Sequence, residues 1–242
     1  MIRILQFGVT LLLFSFSAFA TEGDFAQCRG VFANSSPPVI EHPETLRPRA
    51  ICFSAFAVLH SGRSRTPVYV AERLNNTVLQ QARSNQRTNK FYADARLPRA
   101  ERAELDDYRG SGFDRGHMAP AGDMAGDEAM AQSFSLANMV PQYAINNRHT
   151  WAGIEKATRR YVMRAQGDVY VITGPVFDGT PPTIGPNRVW VPQHLFKLVY
   201  DPSSNRTWVN WLDNTDDAKV GRPISYEELV RRTGIEFLPR KS

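Results

Sequence analysis

The chain has 242 residues, 42% of them hydrophobic and 22% charged, with two cysteines and a formal net charge of +5. That length suits one domain with a sizeable core, and no segment after the first residues is long and apolar enough to span a bilayer. Two cysteines exclude a four-thiolate zinc site. The charge is lopsided: of 29 basic residues 24 are Arg, and 13 of the 29 fall between Arg47 and Arg115 against 7 acids. A guanidinium grips phosphate oxygens with two parallel hydrogen bonds, so an arginine-rich half suits a nucleic-acid partner.

Arg3 precedes an apolar run through residues 11–17 that ends in Ala18-Phe19-Ala20. This pattern predicts a secretory signal peptide over 1–20, and with it an exported protein, periplasmic or secreted. A retained anchor is disfavoured because the apolar run is too short. An even cysteine pair in an exported chain predicts a Cys28–Cys52 disulfide pinning the N-terminal segment. Residues 21–49 are dense in turn formers (Pro37-Pro38, His42-Pro43, Arg47-Pro48) and read as an irregular arm, so the compact domain is expected over 50–242.

Within it, the runs 51–60 and 67–71 read as a strand hairpin about Gly62. The polar, arginine-dotted stretch 73–108 is expected to be loops ending in a short helix at 99–105. A helical turn at 127–132, an extended segment at 134–140 and the best helix, 147–166, follow. That helix carries an apolar stripe at Trp151, Ile154, Thr158 and Tyr161, at steps of three and four. Apolar runs at 169–172, 195–200 and 208–212 read as strands. Ser225 and Glu228 have capping-box spacing, and Gly234 suits a left-handed helix end. Strands and helices that do not strictly alternate indicate α+β with a mainly antiparallel sheet.

Asp114-Arg115-Gly116-His117 holds the candidate chemistry. A neutral imidazole near pH 7 can accept a proton from water, Gly116 would let the backbone turn tightly there, and Arg115 offers charge for a phosphate. Alone, a histidine beside glycine is more often a turn residue. Downstream, Asn147, Trp151 and Glu155 lie at i, i+4 and i+8, one slowly drifting helical stripe along which an amide oxygen and a carboxylate can face one volume. Taken by spacing alone, Asn147 reads as a helix N-cap and Glu155 as a solvated acid. His149 points about 200° away on the helix, at ~100° per residue, and is expected at the surface. His60 and His194 are expected to be structural, and Trp151 and Trp211 to be core residues.

Three segments in order, 108–117, then Asn138 with Pro141-Gln142, then Asn147, Trp151 and Glu155, resemble the non-specific DNA/RNA endonucleases of the Serratia nuclease and mitochondrial endonuclease G type. The likeness extends through Thr173-Gly174-Pro175, Phe196-Lys197 and Thr233-Gly234-Ile235. It implies a ββα-metal core within a larger antiparallel sheet flanked by helices. It also implies His117 as general base, Asn147 as the ligand of one Mg²⁺ (Mn²⁺ as substitute), and Glu155 as the group ordering metal-bound water. Asn138 would organise the site and Arg115 would contact phosphate. An upstream arginine is assigned to Arg87, with Arg83 and Arg96 as alternatives. The implied reaction is hydrolysis of DNA and RNA leaving 5′-phosphate ends, in a family that includes homodimers. Two other readings stay open: a nuclease toxin with a dedicated protein inhibitor, and a non-catalytic nucleic-acid-binding relative.

Overall fold

The computed structural model describes residues 25–239. The expected signal peptide, 1–20, lies outside them. Among the described residues no helix is long and apolar enough to cross a membrane.

In chain order the strands are β1 Val39–Ile40, β2 Pro48–Cys52, β3 Phe56–Ser61 and β4 Thr66–Leu74, followed by α1 Asn76–Ala82 and α2 Leu105–Tyr108. Next come β5 Asp114–His117, α3 Asp127–Ser133, β6 Met139–Gln142, a π-helical turn Asn146–Trp151 and α4 Ala152–Val162. The chain closes with β7 Val169–Val176, β8 Thr183–Ile184, β9 Val189–Trp190, β10 His194–Asp201, β11 Arg206–Asp213, α5 Tyr226–Thr233 and β12 Ile235–Glu236. The main sheet has six strands in the order β11-β10-β7-β4-β3-β2, every pair antiparallel. A separate two-strand ribbon, β5-β6, is followed directly by the π turn and α4. That ribbon and helix form the expected ββα unit, inside an α+β fold.

Four local expectations change. The run 51–60 is two strands, because Ser54 breaks it: its N–H and hydroxyl both donate to Gln132 Oε1, at 2.7 and 2.8 Å. The hairpin is thus a three-strand meander. The stretch 73–108 contains helix α1, started by Asn75, whose side chain accepts from the Val78 N–H at 2.9 Å; its Leu79 and Ala82 are buried. The helix expected over 99–105 is a 3₁₀ turn, Arg99–Glu101, separated from α2. The segment before β2 is irregular but packed. Phe25 and Phe32 are buried against each other and Tyr69, β1 pairs with β12, and a Cys28–Cys52 disulfide ties the segment to β2.

Pairing register assigns the sheet's two faces, since side chains alternate along each strand. One face carries Ala57, Tyr69, Ala71, Ile172, Phe196, Leu198 and Val209, one continuous apolar cluster. The other carries Phe56, Val58, Val70 and Leu195 in one cluster and Leu74, Val171 and Val199 in a second. Between these two clusters runs a polar line, Glu72, Thr173 and Lys197, with Thr173 directly opposite Lys197. All three are at most 1% exposed. This second face is the one that packs under Trp151 and Ile154 of the π turn and α4.

Candidate active site

The β5-β6 ribbon positions the first half of the site. His117 ends β5 opposite Met139, and Gly116 faces Val140 with the Gln142 side chain pressed against it. A Cβ on Gly116 would lie 2.0 Å from Gln142 Oε1. The glycine therefore permits close packing within a strand rather than the tight turn expected there. Asn138 is fully buried. Its amide donates to the carbonyls of Ala119 and Ser133, each at 2.9 Å, and accepts from the Ala119 N–H at 2.8 Å. It staples the segment that follows His117 to the turn before β6.

The π turn positions the second half. In an α-helix, eight residues overshoot two turns by roughly 80° at ~100° per residue. A π turn rotates less per residue, so the drift between Asn147 and Glu155 shrinks. Trp151, midway between them, is fully buried.

His117, Asn147 and Glu155 line one cavity of about 400 Å³ together with Arg87, Arg148 and Arg159. His117 Nε2 is buried without a hydrogen-bond partner. Its ring packs edge-on against Phe134 at 5.1 Å and near Phe91 at 5.8 Å. Burial, and secondarily the Arg87 charge, push its imidazole down to about 3, so the ring is neutral. Asn147 Nδ2 donates to Asp114 Oδ2 at 3.0 Å. A carboxylate only accepts, so this bond fixes the amide with its oxygen turned away from Asp114. Asp114 is itself held by a two-pronged contact from Arg148, at 2.8 and 2.7 Å.

Beneath Glu155 lies a buried set of charges. Arg159, one helical turn on, pairs with Asp123 at 2.8 Å. Lys197 Nζ donates to Thr173 at 2.7 Å and lies 5.5 Å from the Trp151 ring. Neither carboxylate oxygen of Glu72 has a partner. Burial first, then Asp123, pushes the Glu72 carboxyl well above the carboxylate range. Burial pushes Glu155 up to about 7, against the opposing pull of Lys197.

Arg115 lies outside the cavity lining. It stacks over Phe91 at 4.2 Å, on the same β5 face as His117 with Phe91 between them. Among the upstream arginines, Arg87 lines the cavity and sits 5.0 Å over Phe134. Arg83 lines a neighbouring groove, and Arg96 is bound to Asp94 and to the Cys52 carbonyl. His149 is exposed; His60 meets the Glu101 carbonyl at 2.8 Å, and His194 bridges Asp178 and Asp213. Arg148, Arg159, Asp123 and Lys197 were missed as site residues. Only Arg159 carried a local signal, four residues after Glu155 on the same helix.

The family model for DNA/RNA non-specific endonuclease matches residues 39–242. Nuclease 1, mitochondrial, of Schizosaccharomyces pombe is 37% identical over 73% of this chain and 62% of its own length. Nuclease C1 of Cunninghamella echinulata is 37% identical, covering 77% of this chain and 81% of that protein. Endonuclease G, mitochondrial, of Bos taurus is 35% identical over 77% and 68%. The chain therefore spans somewhat under two thirds of its fission-yeast relative. Among solved structures, EndoG in its complex with EndoGI superposes with a TM-score of 0.70 at 26% identity, over 78% of this chain and 84% of that one.

These relatives correct the expectation of a periplasmic or secreted protein, since several of the nucleases that this chain resembles are mitochondrial. A short charged and apolar start was too little sequence to fix a destination. The chain belongs to the DNA/RNA non-specific endonuclease family.

Proposed function

We propose that the chain is an endonuclease that hydrolyses phosphodiester bonds of DNA and RNA at the His117 cavity with one divalent cation, Mg²⁺ or Mn²⁺. The observation that carries this is the convergence of a neutral, unpartnered imidazole, an oriented amide oxygen, a carboxylate and an arginine on one cavity. Binding of nucleic acid needs arginines alone. A base and a metal-ligating amide held this way favour catalysis over a purely binding relative.

The residues fit the cation. Among the described residues no cluster of three His, Cys, Asp or Glu side chains could hold a metal. Mg²⁺ keeps several of its waters and takes few protein ligands when substrate phosphate completes its shell, so the Asn147 oxygen, with Glu155 ordering waters, is a suitable donor set. When bound, the cation would supply charge against the phosphate and the departing 3′ oxygen.

His117 Nε2, with no protein partner, takes the proton from the attacking water. Its low proton affinity rises once a phosphate anion enters beside it, because a nearby negative charge favours the imidazolium. Arg87 binds the phosphate and helps balance the extra negative charge of the transition state, and Arg115 contacts phosphate from beyond Phe91. Asn138 acts through the backbone, holding the segment after His117. Since water rather than a 2′-hydroxyl is the nucleophile, both sugars are substrates, and the products carry 5′-phosphates. Contacts to backbone rather than base edges give little sequence preference.

A protein inhibitor is a partner class supported by the likeness to EndoG bound to EndoGI, and a homodimer belongs to the same proposal, to be read from sedimentation. To test the reaction, the purified chain is given plasmid DNA and RNA with Mg²⁺, Mn²⁺ or EDTA, and product ends are labelled. Both substrates should be cut with either metal, spared in EDTA, and left with 5′-phosphates. Intact substrates in both metals, or 5′-hydroxyl products, would contradict the proposal.

A further inference from the structure

A groove of about 320 Å³ between α1 and α4 adjoins the His117 cavity, sharing Gly122 and Arg159 with it. Leu79 and Met163 are the apolar side chains of its lining. Every charged residue lining it is a cation: Arg83, Lys156, Arg159, Arg160 and Arg164. Arg159 is tied to Asp123, but Arg83, Lys156, Arg160 and Arg164 are exposed and make no ion pair among the described residues. Elsewhere many arginines are matched, as in Arg49 with Glu101, Arg96 with Asp94 and Arg232 with Glu228.

Spacing makes the unmatched set coherent. Lys156, Arg160 and Arg164 recur every four residues and so share one side of α4 and its extension, while Arg83 stands at the end of α1 across the groove. Like charges at that spacing destabilise a helix, so the arrangement is unfavourable unless a polyanion occupies it. Eight residues of helix span about 12 Å, some three to four nucleotide rises at about 3.4 Å each. No aromatic ring lines the groove, so it offers nothing for bases to stack on.

We propose that this groove is a track for the sugar-phosphate backbone of bound nucleic acid, carrying the strand that flanks the scissile phosphate from the His117 cavity across Arg83, Lys156, Arg160 and Arg164. The inference rests on the cavity being the cutting site. The track gives affinity without sequence information, because its contacts go to phosphates. It ends at Arg164, which also lines the next hollow with Arg206.

The test is a triple variant, Lys156→Gln/Arg160→Gln/Arg164→Gln, beside one with equal charge loss outside the groove, Arg63→Gln/Arg188→Gln/Arg222→Gln. In Mg²⁺, kcat/KM is measured on a 30-nucleotide strand and on a trinucleotide too short to fill the track. The ratio of long to short should fall at least tenfold in the groove variant and less than twofold in the control. The slope of log kcat/KM against log salt on the long strand should become shallower by about 2, near 0.7 for each phosphate that the variant no longer neutralises. Anisotropy of a labelled 30-mer in EDTA, which does not depend on cutting, should show at least tenfold weaker binding by the groove variant alone. A ratio, slope and affinity matching wild type, or an equal loss in the control, would overturn the track. Wild type that binds the 30-mer through the groove yet cuts neither strand would overturn only the cutting-site reading and leave the track supported.

Discussion

The two faces of the six-stranded sheet obey different rules. On the face toward Phe25, Phe32 and Phe237, strand alternation delivers apolar side chains to the buried middle of the sheet, with His194, Asp213 and Arg73 confined to its margins, and Phe196 and Leu198 pack there as hydrophobic patterning dictates. On the opposite face the same alternation delivers Glu72, Thr173 and Lys197 into the interior, splitting the apolar surface in two. Burying a charge is costly unless it is paired or hydrogen-bonded, so such a line needs a reason. The reason lies one layer up, where Glu155 and Arg159 line the His117 cavity and Asp123 holds Arg159. One face stabilises the fold, and the other gives up part of that stabilisation to hold charge beneath the site.

The sharpest break of this contrast is His117→Ala. It removes a group embedded between Phe91 and Phe134 on the site side, and kcat on plasmid should fall by about 10²–10⁴, the usual contribution of a positioned base. Circular dichroism should show the sheet retained. Next, Lys197→Met and Phe196→Ala alter neighbouring residues on opposite faces. Removing the buried ammonium strips Thr173 of its donor and takes a positive charge from beside Glu155, which should cost about 3–5 kcal/mol, and truncating a core Phe a similar 3–5 kcal/mol, both read from urea melts. Kinetics should separate them, with kcat of the folded protein falling only in Lys197→Met. Equal kcat in the two would erase the distinction between the faces.

A smaller effect is expected at Asp114→Ala. The Asn147 amide would lose its fixed orientation, and activity at limiting Mg²⁺ should fall about 10–100-fold, as when partners of a metal ligand are removed. Recovery at saturating Mg²⁺ would support this role. A loss that metal cannot restore would contradict it. The smallest effect is a stability difference with pH at Glu155. Its carboxyl is raised from 4.5 to about 7 in the folded state, so protonated Glu155 favours folding at low pH and that contribution is lost as pH rises through about 7. Glu155→Gln should therefore gain stability over wild type between pH 4.5 and 7 and differ little below 4.5. A constant difference in urea midpoint across that range would contradict the burial.

What was legible in the sequence was whatever depends on period and local chemistry. The strands at 169–172, 195–200 and 208–212 lie within β7, β10 and β11, and α5 starts where Ser225 accepts from the Glu228 N–H and ends at Gly234, with φ of 68°. The Glu228 side chain, however, engages Arg231 and Arg232 rather than closing the capping box. Helix α1 was concealed by the polar residues around it, although Asn75 was a legible cap. Spacing put Asn147 and Glu155 on one drifting stripe and the family resemblance gave them roles, but the π turn that brings them onto one face was not legible. Arg148 on Asp114 and Lys197 under Trp151 are tertiary contacts between segments 34 and 46 residues apart, beyond the reach of any local pattern.

The central claim is that His117 and Asn147 act together in one cavity to cut nucleic acid. The most direct test is single-turnover cleavage of plasmid by the purified chain, beside His117→Ala, Asn147→Ala and the double variant, at fixed Mg²⁺. The account predicts that each single variant loses at least a hundredfold and that the double loses little more than the worse single, since the two serve one step. A His117→Ala chain that cuts as fast as wild type would contradict it.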